Sequence, residues 1–124
     1  TVRHRADLPA PESIGRHAAE RAVRRQNPRK VTTGQVPVIF EPRVGKSLLS
    51  SFAGAISGAA VARGTSFLKD RRGTRVFAPG VHITDDPRRA RGISSRPFDA
   101  EGVDNPALRL VEDGTLAQWL LDVR

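Results

Sequence analysis

The side chains of this sequence able to do chemistry are three histidines (His4, His17, His82), scattered serines and a few clustered carboxylates. His82 is followed by Asp85 and Asp86, an imidazole and two acids of the kind that can hold a divalent cation. A solvated strand-turn segment uses the same residues as turn formers, and that reading is preferred. Ser50 and Ser51 stand together but lack the glycine frame of a nucleophile elbow and a nearby histidine base. Gly45-Lys46-Ser47 matches the end of a phosphate-binding loop, yet Phe40 occupies the position that needs the upstream glycine. Asp99 or Asp85 with Glu101 can be drawn as an acid/base pair. In a Pro- and Gly-rich loop such carboxylates more often cap turns. Cysteine is absent, which excludes disulfides, thiolate nucleophiles and cysteine zinc sites. Composition and spacing alone therefore give this chain no catalytic or metal site.

The elements that would position these residues are legible from pattern. Pro11 and Glu12 suit the first turn of a helix, apolar residues recur at Ile14, Ala18 and Ala22, and Asn27-Pro28 is a stop, so a helix is predicted over 11–25. Gln35 to Phe40 reads as a strand, with Pro37 at its start or on an edge. Val44 to about Ala62 reads as one long buried helix, with Leu48, Leu49, Phe52, Ile56 and Ala59 on a broad apolar surface. Gly54 and Gly58, four apart on that helix, would let another backbone come close. Gly64 is its natural C-terminal cap. Val76–Ala78 and Val81–Thr84 are short strand candidates around the turn Pro79-Gly80. Residues 85–105 have no sustained period and read as loop. Asp113-Gly114 between Leu108–Val111 and Leu116–Leu121 is a hairpin signal. The predicted class is α+β: an amphipathic helix, a strand, a long buried helix and antiparallel strands ending in a β-hairpin.

The 124 residues carry a formal charge of +8, with 38% hydrophobic residues. Of 21 basic side chains only Lys30, Lys46 and Lys69 are lysine, a skew that genomic base composition explains as readily as phosphate binding. The last stretch, residues 97–124, reverses the sign, with six acids against Arg109 and Arg124. A basic chain binds polyanions through counterion release, but the aromatics needed for base stacking are few. Specific nucleic-acid binding is not expected. The apolar stretch from Leu48 to Ala62 is shorter than the ~20 residues that span a bilayer, and no signal-type start is seen. A soluble, cytoplasmic protein is expected. The chain begins at Thr1 and contains no methionine, which reads as a piece of a longer product.

Several segments in order resemble the TldD/PmbA family: Gly34 to Pro42, the Leu48–Ala62 run, Arg63-Gly64-Thr65-Ser66-Phe67, Ala78-Pro79-Gly80-Val81 with Asp85-Asp86, Phe98-Asp99-Ala100-Glu101-Gly102, and Val111 to Leu116 with Trp119-Leu120-Leu121-Asp122. The resemblance implies that residues 1–32 close an N-terminal domain and that 33–124 open a C-terminal one. It further implies a two-subunit cytoplasmic peptidase acting on peptides, in which a TldD-like subunit holds zinc through a His-Glu pair and a second His on a helix. The other subunit, TldE or PmbA, lacks them, and older usage calls it a modulator of DNA gyrase.

Under this resemblance Ser50 and Ser51 occupy the His-Glu positions and Ala55 that of the second His. Zinc takes nitrogen, thiolate or carboxylate donors, so the resemblance implies a non-catalytic PmbA/TldE-like subunit. No cofactor is expected in this chain, zinc being expected only in the TldD-like partner. Arg63, Gly64, Thr65, Ser66, Phe98, Asp99 and Glu101 are the candidates for substrate or partner contacts. Open strand edges lead to an expectation of self-association. The alternative is a basic module that binds DNA or modulates gyrase.

Overall fold

A computed structural model describes residues 2–121; Asp122, the last residue of the resembling segments, lies outside the described residues. Two compact units are formed, one from the residues up to Val38 with Arg91–Ile93, the other from Ile39–Ala90 with the residues from Ser94 onward.

The first unit holds a 3-10 turn, Arg5–Asp7, and helix α1, Pro11–Val23. Pro11 sits in the first turn, where its missing N–H costs nothing, and Glu12 faces the positive end of the dipole. The helix gives way two residues before the predicted Arg25, and Asn27 then takes a positive φ of 53° ahead of Pro28. No residue of α1 is buried, and Ile14 and Val23 remain more than half exposed. Asp7 pairs with Arg91 at 2.5 Å within this unit.

The strand predicted over 35–40 is not formed. A strand is stable only when a neighbour completes its backbone ladder. None of the strands among the described residues pairs with this run, and Pro37 offers no donor. Val36, Val38, Ile39 and Phe40 are consequently exposed, Ile39 by 96%.

The second unit corrects the long buried helix. Helix α2 runs Pro42–Ala55 and a separate α3 runs Gly58–Ala62. Between them Ser57 is extended (φ −67°, ψ 138°) and caps α3: its Oγ accepts from the Ala60 N–H at 3.3 Å and donates to the Gly54 carbonyl at 2.9 Å. The break frees backbone groups that a distant segment satisfies. Leu120 N–H donates to Ile56 O at 2.9 Å, and Gly58 N–H donates to Leu120 O at 2.6 Å, a one-residue parallel bridge. Only Phe52 of α2 is buried, whereas Val44, Leu48 and Leu49 stay about half exposed. The two glycines do not share a face. A Cβ on Gly58 would lie 2.9 Å from Leu121 Cδ2, while Gly54 borders open space. Gly64, at φ +69°, ends α3 as predicted.

Strands β1 (Ile83–Asp85), β2 (Leu108–Glu112) and β3 (Thr115–Leu116) form an antiparallel sheet in the order β1-β2-β3, with a register shift between Ile83 and Thr84. The class is α+β. Val76–Ala78 forms no strand: Val76 N–H and Phe77 N–H both donate to Gly114 O, so this run wraps the hairpin tip rather than extending the ladder. Beyond Ala117, whose N–H still donates to Leu110 O at 2.9 Å, the chain leaves the sheet to reach the helix break, which shortens the predicted second hairpin arm. The hairpin turn itself is as read, with Asp113 (φ 45°) and Gly114 (φ 77°) both left-handed, the signature of a type I′ turn.

The core comprises Phe52, Ile56, Leu68, Leu110, Val111 and Leu116, ringed by Ala55, Val76, Phe77, Ile83, Leu108, Trp119 and Leu120. Successive strand residues point to opposite faces, so burial of both Leu110 and Val111 means the small sheet is covered on both sides there. Phe52 meets Phe77 edge-on, centroids 5.2 Å apart. No helix among the described residues is long and apolar enough to cross a membrane.

Candidate functional site

The residues singled out by sequence fall on two local frameworks of the second unit. The first is the end of α2 with the turn that follows α3. Ser50 and Ser51 lie exposed on α2, and Ala55, its last residue, packs against the core. These positions supply two hydroxyls and a methyl group. None is a nitrogen, thiolate or carboxylate donor, so the residues present do not fit a zinc ion. Among the described residues no three His, Asp or Glu side chains gather where one cation could be held.

The turn after α3 is tied back to this helix by Ser66. Its Oγ, in a residue only 6% exposed, donates to the Ala55 carbonyl at 2.5 Å and accepts from the Leu68 N–H at 3.0 Å. The Ala55 carbonyl is one of the groups a helix end leaves without an intrahelical partner, and the serine satisfies it. Thr65 Oγ1 donates to Ala60 O at 3.2 Å, and Gly64 supplies the left-handed residue that turns the chain. Arg63, Thr65 and Phe67 project into solvent, Phe67 by 81%. Of the turn residues named from sequence, Arg63 and Thr65 are thus placed to touch another molecule, while Ser66 is built into the frame.

The second framework is the loop around Asp99. Its Oδ1 accepts from the Glu101 N–H at 2.8 Å and the Val103 N–H at 2.9 Å, and its own N–H donates to Val103 O. This is the work of a turn former. Phe98 is 60% exposed and pairs through its backbone with Asp104.

His82, Asp85 and Asp86 do not act as one cluster. The His82 Nδ1 faces the Asp113 N–H at 3.4 Å, Asp85 closes β1, and Asp86 Oδ1 accepts from the Arg88 N–H. Gly45, Lys46 and Ser47 lie inside α2, where Ser47 Oγ donates to Val44 O at 2.6 Å, so no phosphate loop exists there.

The basic excess is partly neutralised at the surface. Arg75 pairs with Asp113, Arg88 with Asp104, and Arg109 with Glu112. Such exposed pairs contribute about 0–1 kcal/mol each, but they occupy guanidinium groups that a phosphate backbone would need. Arg72 is also engaged, its Nε donating to Ala117 O at 3.2 Å and its guanidinium lying 5.8 Å from the Trp119 ring centroid.

Sequence reasoning missed the helix break and the role of Leu120 in filling it. Ser57 ahead of Gly58-Ala59-Ala60 was the available signal, since serine caps helices far better than it extends them. The burial of Ser66 had no local signal, because its acceptor is eleven residues away.

Comparison with known proteins places this geometry in context. Residues 33–124 match the model of the PmbA/TldA metallopeptidase C-terminal domain. The chain is 39% identical over 116 residues to the metalloprotease PmbA of Escherichia coli O157:H7, covering 94% of this chain and 26% of that protein. It is 40% identical to the PmbA homolog of Haemophilus influenzae, covering 92% and 25%. A crystal structure from Thermotoga maritima, named as a candidate modulator of DNA gyrase, superposes with a TM-score of 0.91 at 34% identity, over 98% of this chain and 28% of that one. A likewise named structure from Bacteroides thetaiotaomicron gives 0.89 at 26% identity, over the same shares. The chain thus spans about a quarter of the length of these relatives.

Proposed function

This chain belongs to the PmbA/TldA metallopeptidase family, and we propose that it is part of a non-catalytic, TldE-like subunit that completes a zinc peptidase by pairing with a TldD-like partner. The observation that carries this reading is helix α2, whose residues at 50, 51 and 55 are serine, serine and alanine. On this reading the helix is retained and its donors are not. A serine hydroxyl is a poor zinc ligand, and no carboxylate at position 51 could take a proton from water. On this reading the chain alone is not an enzyme, zinc sits only in the partner, and peptides are the substrates. The setting is the cytoplasm.

The exposed Arg63–Thr65 turn and the Phe98 and Glu101 loop are the surfaces through which partner or substrate would be met. The half-exposed row Val44, Leu48 and Leu49 and the run Val36–Phe40 support self-association when nothing covers them. Reconstitution tests the proposal. The full-length protein and a TldD-like partner are assayed for peptide cleavage separately and mixed. Activity only in samples containing the partner is expected; peptide cleavage by the lone protein that a chelator abolishes overturns the reading.

The second reading is a basic module acting on DNA or gyrase. It is favoured by the +8 charge and by the names of the two solved relatives. Attraction by charge alone fades with salt at a log–log slope of about −0.9 per phosphate neutralised. Binding that survives moderate salt and prefers one sequence would support this reading over the first.

A further inference from the structure

The tip of the β2–β3 hairpin carries the sequence Asp113-Gly114, and its side-chain carboxyl and the next amide nitrogen can react with each other. In an unstructured chain the Gly114 nitrogen attacks Asp113 Cγ, the N–Cγ bond forms, and a Cγ–O bond breaks. The departing oxygen leaves as water with the amide proton and the carboxyl proton. The resulting five-membered imide takes up water at either carbonyl. Opening at Cγ restores aspartate, and opening at the α-carbonyl gives isoaspartate, whose main chain runs through Cβ and Cγ. Water leaves and water returns, so the net change is an isomerisation that needs no other reactant. Glycine as the following residue is the most permissive case, because it has no side chain to hinder the attack.

We infer that Asp113 is a latent isoaspartate site, held unreactive by the docking of the hairpin tip into the loop of residues 76–82. Nucleophile and electrophile are restrained separately. The Gly114 N–H donates to Val81 O at 2.8 Å, which stabilises the protonated amide and directs it toward another carbonyl. Asp113 Oδ1 accepts from the Gly80 N–H at 2.6 Å, and Oδ2 lies 3.8 Å from the Arg75 guanidinium. The Gly114 carbonyl is clasped by the N–H groups of both Val76 and Phe77, at 2.9 and 3.0 Å. The fit leaves no slack, since a Cβ on Gly114 would lie 2.5 Å from the carbonyl oxygens of Phe77 and Ala78. The carboxylate itself remains 59% exposed, so water reaches the imide as soon as it forms.

The consequence is one-way. Isoaspartate lengthens the backbone of a two-residue turn whose φ angles of 45° and 77° match the strand twist. A lengthened turn cannot present Gly114 O to both amides or keep Val111 and Leu116 in register. Reaction requires local opening, and the open state is rarer than the docked one by the stability of the unit that must open. Each passage through the open state carries a chance of a lesion that bars return.

The experiment compares the folded full chain with the same chain held unfolded in urea, at one pH and temperature. Isoaspartate in the peptide spanning 110–118 is followed by mass spectrometry. Accumulation at least about tenfold slower in the folded chain is expected, as a gate of ~1.4 kcal/mol would give. A folded rate that falls short of this tenfold protection overturns the inference. The isoaspartyl chain, refolded from urea, should fail to recover slow hydrogen exchange at the Val76, Phe77 and Gly114 amides; recovery of that protection overturns the one-way consequence.

Discussion

Replacing Gly114 with alanine should be among the most damaging single-methyl changes this chain can suffer. The left-handed backbone (φ +77°) disfavours an L-residue by roughly 1–2 kcal/mol. The new Cβ would also stand 2.5 Å from the carbonyl oxygens of Phe77 and Ala78, which are backbone and cannot rotate away. Relief by overpacking costs about 1–3 kcal/mol. Relief by undocking gives up the bonds from Val76, Phe77 and Gly80 and the one to Val81, at ~0.5–1.5 kcal/mol apiece. The cheaper route still leaves a total of about 2–5 kcal/mol, a large share of the ~5–15 kcal/mol that a folded domain has. Gly102→Ala is the matched control, with φ +80° and no atom within 4 Å of the new Cβ. It should cost only the backbone part, roughly 1–2 kcal/mol. Urea unfolding reads both variants, and with m near 1–3 kcal/mol/M the extra packing cost of about 1–3 kcal/mol should put the Gly114→Ala midpoint below the control's by roughly 0.3–3 M. Equal midpoints for the two variants would refute the docking geometry on which the argument stands.

Other outcomes follow from the same packing. Ser66→Ala should lower stability by about 1–3 kcal/mol, because the Ala55 carbonyl and the Leu68 N–H lose their shared partner in a buried place; calorimetry or urea titration checks it. Ile56→Ala, at a side chain fully buried beside the helix break, should cost about 2–5 kcal/mol. Leu48→Lys should shift stability by no more than about 0.5 kcal/mol, yet reduce the concentration-dependent mass seen by light scattering, since Leu48 is half exposed on the uncovered side of α2. DNA retention on a heparin-like or DNA matrix should be lost steeply between low and moderate salt, with no preferred sequence.

What could be read in advance was what depends on short-range chemistry. Asp113-Gly114 demanded a two-residue turn because both residues must take positive φ, and it formed one. Pro11-Glu12 and Asn27-Pro28 bracketed α1 for reasons local to each end. Features that depend on distant partners were not legible. Residues 35–40 have strand composition but no neighbour among the described residues. The helix break at Ser57 is held by Leu120, more than sixty residues away, and the periodicity of 44–62 ran straight through it. Val76–Phe77 looked like a strand and instead clasps the hairpin tip. At the candidate site, the serines and alanine at 50, 51 and 55 could be read as lacking zinc donors from residue type alone. The division of the Arg63–Ser66 turn into exposed Arg63 and Thr65 and a buried Ser66 needed the fold.

If α2 is, as proposed, a zinc-peptidase helix that has no group able to bind a metal, the metal content of the protein reports it. The purified full-length protein, alone and in complex with a TldD-like partner, is analysed for zinc by mass spectrometry after dialysis against metal-free buffer. Far less than one zinc per chain is expected in the lone protein, with stoichiometric zinc appearing only when the partner is present. Stoichiometric zinc retained by the lone protein, and lost when residues 50–55 are replaced, would contradict it.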